Sequence, residues 1–298
     1  MRFNTQKELI MDVVQTINSL LGPASKLFAW LQNRANPVRQ QAARILLAFE
    51  AHGIQRTQIN RLLPKKLQLL PFQLSDADEL KKVLTQEHIN WVAKLFALEQ
   101  EWLNGTSDAA NELIFNYKSP GALHQWLTDH TQPAESSLHF KLHLITPDAQ
   151  PISPESQGYF AVILEELFDT EDDYQSRYYH LANGAHFEHP PCLLHLMQIL
   201  AIANHHNLML CRSVLSGASL YRLSHRNGLI PGWLMKTRPH PLEADEEFWE
   251  LCANNAQWLE QLRSSGLPEV ADTVERDLKG FTSPLMRGAV HVNSEDIA

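Results

Sequence analysis

A chain of 298 residues with 44% apolar side chains can bury an ordinary core, which excludes wholesale disorder. No apolar run reaches the ~18 residues of a membrane span, and the N-terminal stretch lacks the charged-then-apolar plan of a secretory signal, so a soluble cytoplasmic protein is expected. The net charge of -9 conceals a division: residues 1–70 hold ten Lys/Arg against three Asp/Glu, and the remainder holds fifteen against thirty-one. A positive field on one part favours a polyanionic partner for that part alone; the alternative is a basic region docked on its own acidic remainder. Three widely spaced cysteines, Cys192, Cys211 and Cys252, argue against a disulfide framework.

In chain order, Leu9, Ile10, Val13, Val14, Ile17, Leu20 and Leu21 recur at helical spacing and predict an amphipathic helix over residues 5–21. Its apolar stripe suits the pairing of two copies. A short helix is expected around Leu27–Leu31. Asn36 and Pro37 then mark a helix start, with Ile45, Leu46 and Phe49 in its stripe and Gly53 at its end. Further helices are expected over Arg56–Leu63, 75–84 and 86–97, and a transitional one over Ala109–Tyr117. Residues 131–137 read as a linker.

Beyond the linker the period changes to two: Leu138, Phe140, Leu142 and Leu144 face one way and His139, Lys141 and His143 the other. Strands are also expected at Tyr159–Leu167, Tyr178–Leu181, Leu208–Leu215, Ser219–Leu223 and Leu229–Leu234. A helix opened by Pro190 and Pro191 is apolar nearly all round, as in a helix buried against a sheet. Two helices, 246–263 and 269–278, close the chain. The expected fold is α+β: an all-α domain over 1–105, connecting helices and linker over 106–136, and an antiparallel-sheet domain with a helical tail over 137–298.

The stretch Arg44–Thr106 carries the most specific pattern. Ile45, Leu46 and Phe49 precede Gly53 and Ile54, and Ile59 anchors the next helix. Ile89, Val92, Ala93, Phe96, Trp102, Leu103 and Gly105 follow the spacing of a closing helix and its tail. Over these residues the chain resembles the lambda-repressor-like helix-turn-helix family, which implies duplex DNA as partner and pairing into a homodimer. The sequence departs from the family between Pro64 and Gln86, which is longer and places Asp76, Asp78 and Glu79 where a recognition helix would meet phosphates. The DNA contacts are therefore expected from Gln55, Arg56, Thr57, Arg61, Lys65 and Lys66, as phosphate contacts that position without specifying sequence.

The order of elements after residue 137 is loosely similar to small sensor modules of the PAS or GAF kind. That implies a small-molecule pocket beside the Pro191–Asn204 helix, with His180, Arg212 and Tyr221 as polar candidates. The segment His180, His186, Glu188, His189, Cys192 and His195 lacks a zinc spacing, and the acidic run Glu165–Asp173 lacks calcium-loop spacing. His205 and His206 read as cations favoured at a helix C-terminus. No nucleophile elbow, zinc-protease or phosphate-loop motif occurs, so neither an enzyme nor a cofactor is expected. The sequence predicts a one-component transcriptional regulator; the rival is an interaction protein that keeps a helix-turn-helix fold without binding DNA.

Overall fold

The computed structural model describes residues 36–130, 139–153, 155–170, 174–239 and 257–280. The helices expected at 5–21 and 27–31, the 131–137 linker and the first part of the 246–263 helix lie outside them.

Helix α1 (Pro37–Ala51) begins as its sequence dictates. The Asn36 side chain accepts the amide of Arg39 at 3.0 Å, and Pro37 lacks the N–H that would otherwise want a partner. Gly53, at φ +76°, turns the chain out of the helix. A 3-10 turn at Arg56–Gln58 leads into α2 (Ile59–Leu62), followed by α3 (Ala77–Leu80), α4 (Gln86–Phe96) and α5 (Gln100–Leu103). Buried faces of these elements meet in one core through Ile45, Phe49, Ile59, Leu80, Phe96 and Leu103, with Phe49 and Phe96 edge to face at 5.1 Å. That core also takes in Ala110 and Leu229 from later in the chain.

The helix expected over Ala109–Tyr117 does not form. Leu98 bridges Asn111, Ala109 bridges Asn227 and Leu113 bridges His180, so the stretch runs extended between the helical core and the sheet. Its backbone amides are claimed from outside: Glu112 donates to the Ala97 carbonyl at 2.8 Å and Ile114 to that of His180 at 3.0 Å. Those tertiary bonds replace the local ones a helix would make.

After α6 (Gly121–His130) come β1 (Phe140–Thr146), β2 (Ala161–Asp169), β3 (Tyr174–His180), α7 (Pro190–His205), β4 (Met209–Val214), α8 (Gly217–Ser224), α9 (Ile230–Leu234), β5 (Arg238–Pro239), α10 (Gln257–Ser264) and α11 (Pro268–Gly280). The five strands lie in the order β3-β2-β1-β4-β5. The expected antiparallel sheet is corrected to a mixed one. β1 pairs antiparallel with β2 but parallel with β4, Leu142 opposite Leu210, because α7 carries the chain back across a sheet face before β4 enters. Phe140, Leu142, Val162 and Leu164 pack on the α7 side, with Leu196 and Leu200, and α10 and α11 join that core through Leu262 and Val274. Ile145 and Ile163 face the other way, under Leu220, Leu223, Ile230 and Trp233. Those last four residues sit in two segments expected as strands. Both are helices instead, since each pair is spaced three apart and buries one helical face.

The architecture is thus α+β, a helical N-terminal region followed by a mixed sheet with helices. Among the described residues, no helix is long and apolar enough to cross a membrane.

Candidate functional site

Two surfaces stand out. The first spans Gln55 to Lys66. Ile54, Ile59 and Leu63 point into the helical core, whereas Gln55, Arg56, Thr57, Arg61, Lys65 and Lys66 are all exposed. All six residues named from the sequence are thus exposed along one short segment. Arg56 pairs with Glu50 at 2.7 Å, and Lys66 lies 3.6 Å from Glu87. Both partners lie within the helical region, Glu50 on α1 and Glu87 on α4. Such exposed pairs are weak and yield readily to a phosphate.

The acidic residues at the start of α3 have other work. The Asp76 carboxylate caps the helix by accepting the amides of Asp78 and Glu79, at 2.8 and 2.9 Å. Asp78 is held by Arg39 at 3.1 Å and by Lys81 at 2.5 Å, and its hydrogen bonds to those cations keep its carboxyl below the usual range. Glu79 pairs with Lys82 at 2.5 Å. The carboxylates at the start of α3 are thus engaged in capping the helix and in pairing with Arg39, Lys81 and Lys82.

The second surface is a cavity of about 400 Å³ at the N-terminal end of α7. Leu113, Phe115, Asn116 and Tyr117 form one wall, Leu181 to His186 another, and His189, Cys192 and His195 the helix side. Cys192 and His195, three apart on α7, share a face, and the N-cap His189 joins them from the extended residue before the helix. The Asn116 amide donates to the Ile114 carbonyl at 2.9 Å, which turns its oxygen to accept Nε2–H of buried His195. Burial holds the His195 imidazole down to about 4, so it is neutral at physiological pH. Nδ1 of His189 lies 3.3 Å from the Cys192 thiol, and His186 lies 3.4 Å from Glu188.

A thiol beside an imidazole invites a nucleophilic reading. The backbone at the start of α7 offers few free donors beside it. Helix N-termini stabilise anions through unpaired N–H groups, but Pro190 and Pro191 have none, and the Cys192 amide is committed to the His189 carbonyl at 2.8 Å. The cavity instead offers an apolar wall and a polar end, the usual make-up of a small-molecule site.

The ligand residues named from the sequence do not converge. His180 is fully buried at the end of β3, and neither of its ring nitrogens has a hydrogen-bond partner. Burial, reinforced by Arg226, drives its imidazole down to about 3. Tyr221 is 45% exposed on α8, packed edge to face on Tyr159. Arg212 alone lines a cavity, a separate one of about 490 Å³ with Thr146, Gln150, Ile152 and Phe187, where it donates to the Gln150 carbonyl at 2.6 Å. Of the acidic run, Glu165 and Glu166 point to opposite faces of β2. Glu165 meets His143 at 2.7 Å and Ser176 at 2.7 Å, and Glu166 meets Arg177 at 2.5 Å and Tyr179 at 2.9 Å. They do not share a cation site. Neither Cys192 nor Cys211 forms a disulfide.

The sequence missed Asn116, Asn183 and the aromatic wall of the α7 cavity, because they sit in a stretch read as helix or turn. No family model, curated protein or solved structure matches this chain.

Proposed function

We propose that this protein is a DNA-binding regulator: Gln55, Arg56, Thr57, Arg61, Lys65 and Lys66 contact duplex phosphates, and the cavity beside α7 takes a small molecule. The observation that carries the reading is the exposure of all six residues along a segment whose Ile54, Ile59 and Leu63 are buried. The resemblance of Arg44–Thr106 to lambda-repressor-like proteins supports it, and so do the capping role of Asp76 and the pairing of Asp78 and Glu79 with Arg39, Lys81 and Lys82. The extended 109–117 stretch supports a link between the two sites. Glu112 is bonded to Ala97 at the end of α4, and the next residues, Leu113 to Tyr117, line the cavity. A ligand that shifts this stretch therefore bears on the helical core. Pairing of two copies belongs to the same reading, since helix-turn-helix proteins commonly span two half-sites.

The test uses the full chain. Anisotropy of a labelled duplex should report binding at low salt that falls steeply as salt rises, because each neutralised phosphate releases counterions. Arg61→Ala with Lys65→Ala and Lys66→Ala should weaken binding to all duplexes alike and flatten the salt slope by about 0.9 per lost phosphate contact. No binding at low salt, or no change in the triple variant, favours an interaction protein that does not bind DNA. The ion pairs of Arg56 and Lys66 speak for that second reading.

A further inference from the structure

Far from both surfaces, three histidines meet where α6, α7 and α11 pack. His124 lies in α6, His205 is the last residue of α7, and His206 is its C-cap. One ring nitrogen of each lies within 4.8 Å of the other two, and among the described residues this is the one such group of three His, Cys, Asp or Glu side chains. Nδ1 of His124 and Nε2 of His206 share a hydrogen bond of 3.1 Å, near the separation of two ligands on one small cation, which would replace the shared proton.

The tautomers are set by the surroundings. Nε2 of His124 lies 3.4 Å from the Glu269 carboxylate, which favours the proton on that nitrogen and the lone pair on Nδ1, toward the cluster. The Thr273 hydroxyl gives its own proton to the Glu269 carbonyl at 3.0 Å, so its oxygen accepts Nδ1–H of His205, also at 3.0 Å, and Nε2 of His205 keeps the lone pair. A carboxylate and a hydroxyl, both from α11, thus orient two imidazoles in the manner of outer-shell partners around a bound metal. The end of a 16-residue helix adds the negative pole of its dipole.

We propose that His124, His205 and His206 bind a divalent transition-metal ion of the zinc class, with Glu269 and Thr273 as positioning residues. Imidazole nitrogen suits zinc, cobalt and nickel and not the hard cations. Three protein nitrogens leave a fourth position to water. The bound ion clasps α6 and α11 to the end of α7.

The test is cobalt substitution of the full chain after chelator treatment and dialysis. Co²⁺ should give the visible bands of a tetrahedral site at one ion per chain, and Zn²⁺ should abolish them and raise the thermal midpoint. His205→Gln should weaken Co²⁺ binding at least ~100-fold. Glu269→Gln should weaken it by about 10-fold or more, the usual effect of removing an outer-shell partner. His124→Gln is the second ligand variant, with circular dichroism checking each fold. Absence of the visible bands in the parent protein overturns the site. So does their persistence in both His205→Gln and His124→Gln, or a thiolate charge-transfer band that vanishes in Cys192→Ser, which would move the metal to the α7 cavity.

Discussion

The backbone of His180 grips Ile114 and Glu112 at once: its carbonyl accepts the Ile114 amide at 3.0 Å, and its amide donates to the Glu112 carbonyl at 2.9 Å. Glu112 in turn donates to Ala97 at 2.8 Å. One short stretch therefore ties the edge strand β3 to the end of α4. Ion pairing of Arg226 with Glu99, and its bond to the Asn111 carbonyl at 2.8 Å, reinforce the same junction.

Ile114→Pro should break this junction. Proline has no amide to give to His180, and Ile114 is buried. A loss of roughly 3 kcal/mol is expected in urea unfolding. Amide exchange should quicken at His180 and Glu112 more than in α1, whose hydrogen bonds are its own. Uniform acceleration throughout the chain would contradict the assignment of a local tie.

Acid should weaken the fold before its carboxylates titrate. Burial holds His52 and His195 down to about 4 and His180 to about 3. In the unfolded chain these groups take up protons near ~6.5, so below that pH the unfolded state binds more protons than the native one. The stability they contribute is complete above about pH 6.5 and is lost as pH falls toward 4, by about 1.4 kcal/mol per unit for each histidine. Glu165 adds a later loss. Burial raises its carboxyl, but the hydrogen bonds from His143 and Ser176 outweigh that and hold it at about 2, so its share disappears between about pH 4.5 and 2. His180→Leu should remove about one proton from the uptake on unfolding between pH 5 and 6.5. An unchanged slope of stability against pH would show that His180 is not neutral and buried.

Much of this molecule follows from local rules. Asn36 and Pro37 start α1, alternation in Phe140–Leu144 marks β1, and the apolar run after Pro191 marks the helix under the sheet. The direction of β4 is not a local property, because it depends on where α7 deposits the chain. Leu220 with Leu223 and Ile230 with Trp233 are too short as segments for periodicity to separate strand from helix. The Asn116–His195 bond joins residues 79 apart, and the histidine cluster joins α6 to α7 across a similar distance. His180 was a natural ligand choice by residue type, yet a strand position facing inward buries it where no ligand reaches. The six exposed residues from Gln55 to Lys66 were legible because a short helix with one buried side must show its polar residues to solvent.

Asn116 holds the polar end of the α7 cavity together. Asn116→Ala leaves Nε2 of buried His195 and the Ile114 carbonyl without their partner, a loss of about 1–3 kcal/mol for each group that water does not reach. Asn116→Asp keeps an acceptor for His195 and should recover part of that stability at pH 7, raising the His195 imidazole as it does so. Histidine NMR titration reads the second effect. If Asn116→Asp leaves the His195 titration where it was, the two side chains do not meet in solution.

Cys192 gives the cavity a chemical handle. The thiol is partly exposed at the wall, beside His189, and Cys211 lies on β4 outside that wall. A small molecule with an apolar body and a hydrogen-bonding head, found by thermal shift, should fill the space between Phe115 and His195 and shield the thiol. Alkylation by iodoacetamide, followed residue by residue with peptide mass spectrometry, should slow at Cys192 at saturating compound and stay unchanged at Cys211 and Cys252. Ligand present at 100 times its dissociation constant should stabilise the native state by about 2.7 kcal/mol, which sets the size of thermal shift to look for. Asn116→Ala should weaken that compound, because the polar end of the cavity loses the group that orients His195. Equal protection of all three cysteines would mean that the compound tightens the fold from elsewhere, and unprotected Cys192 under a full thermal shift would place the binding site outside this cavity.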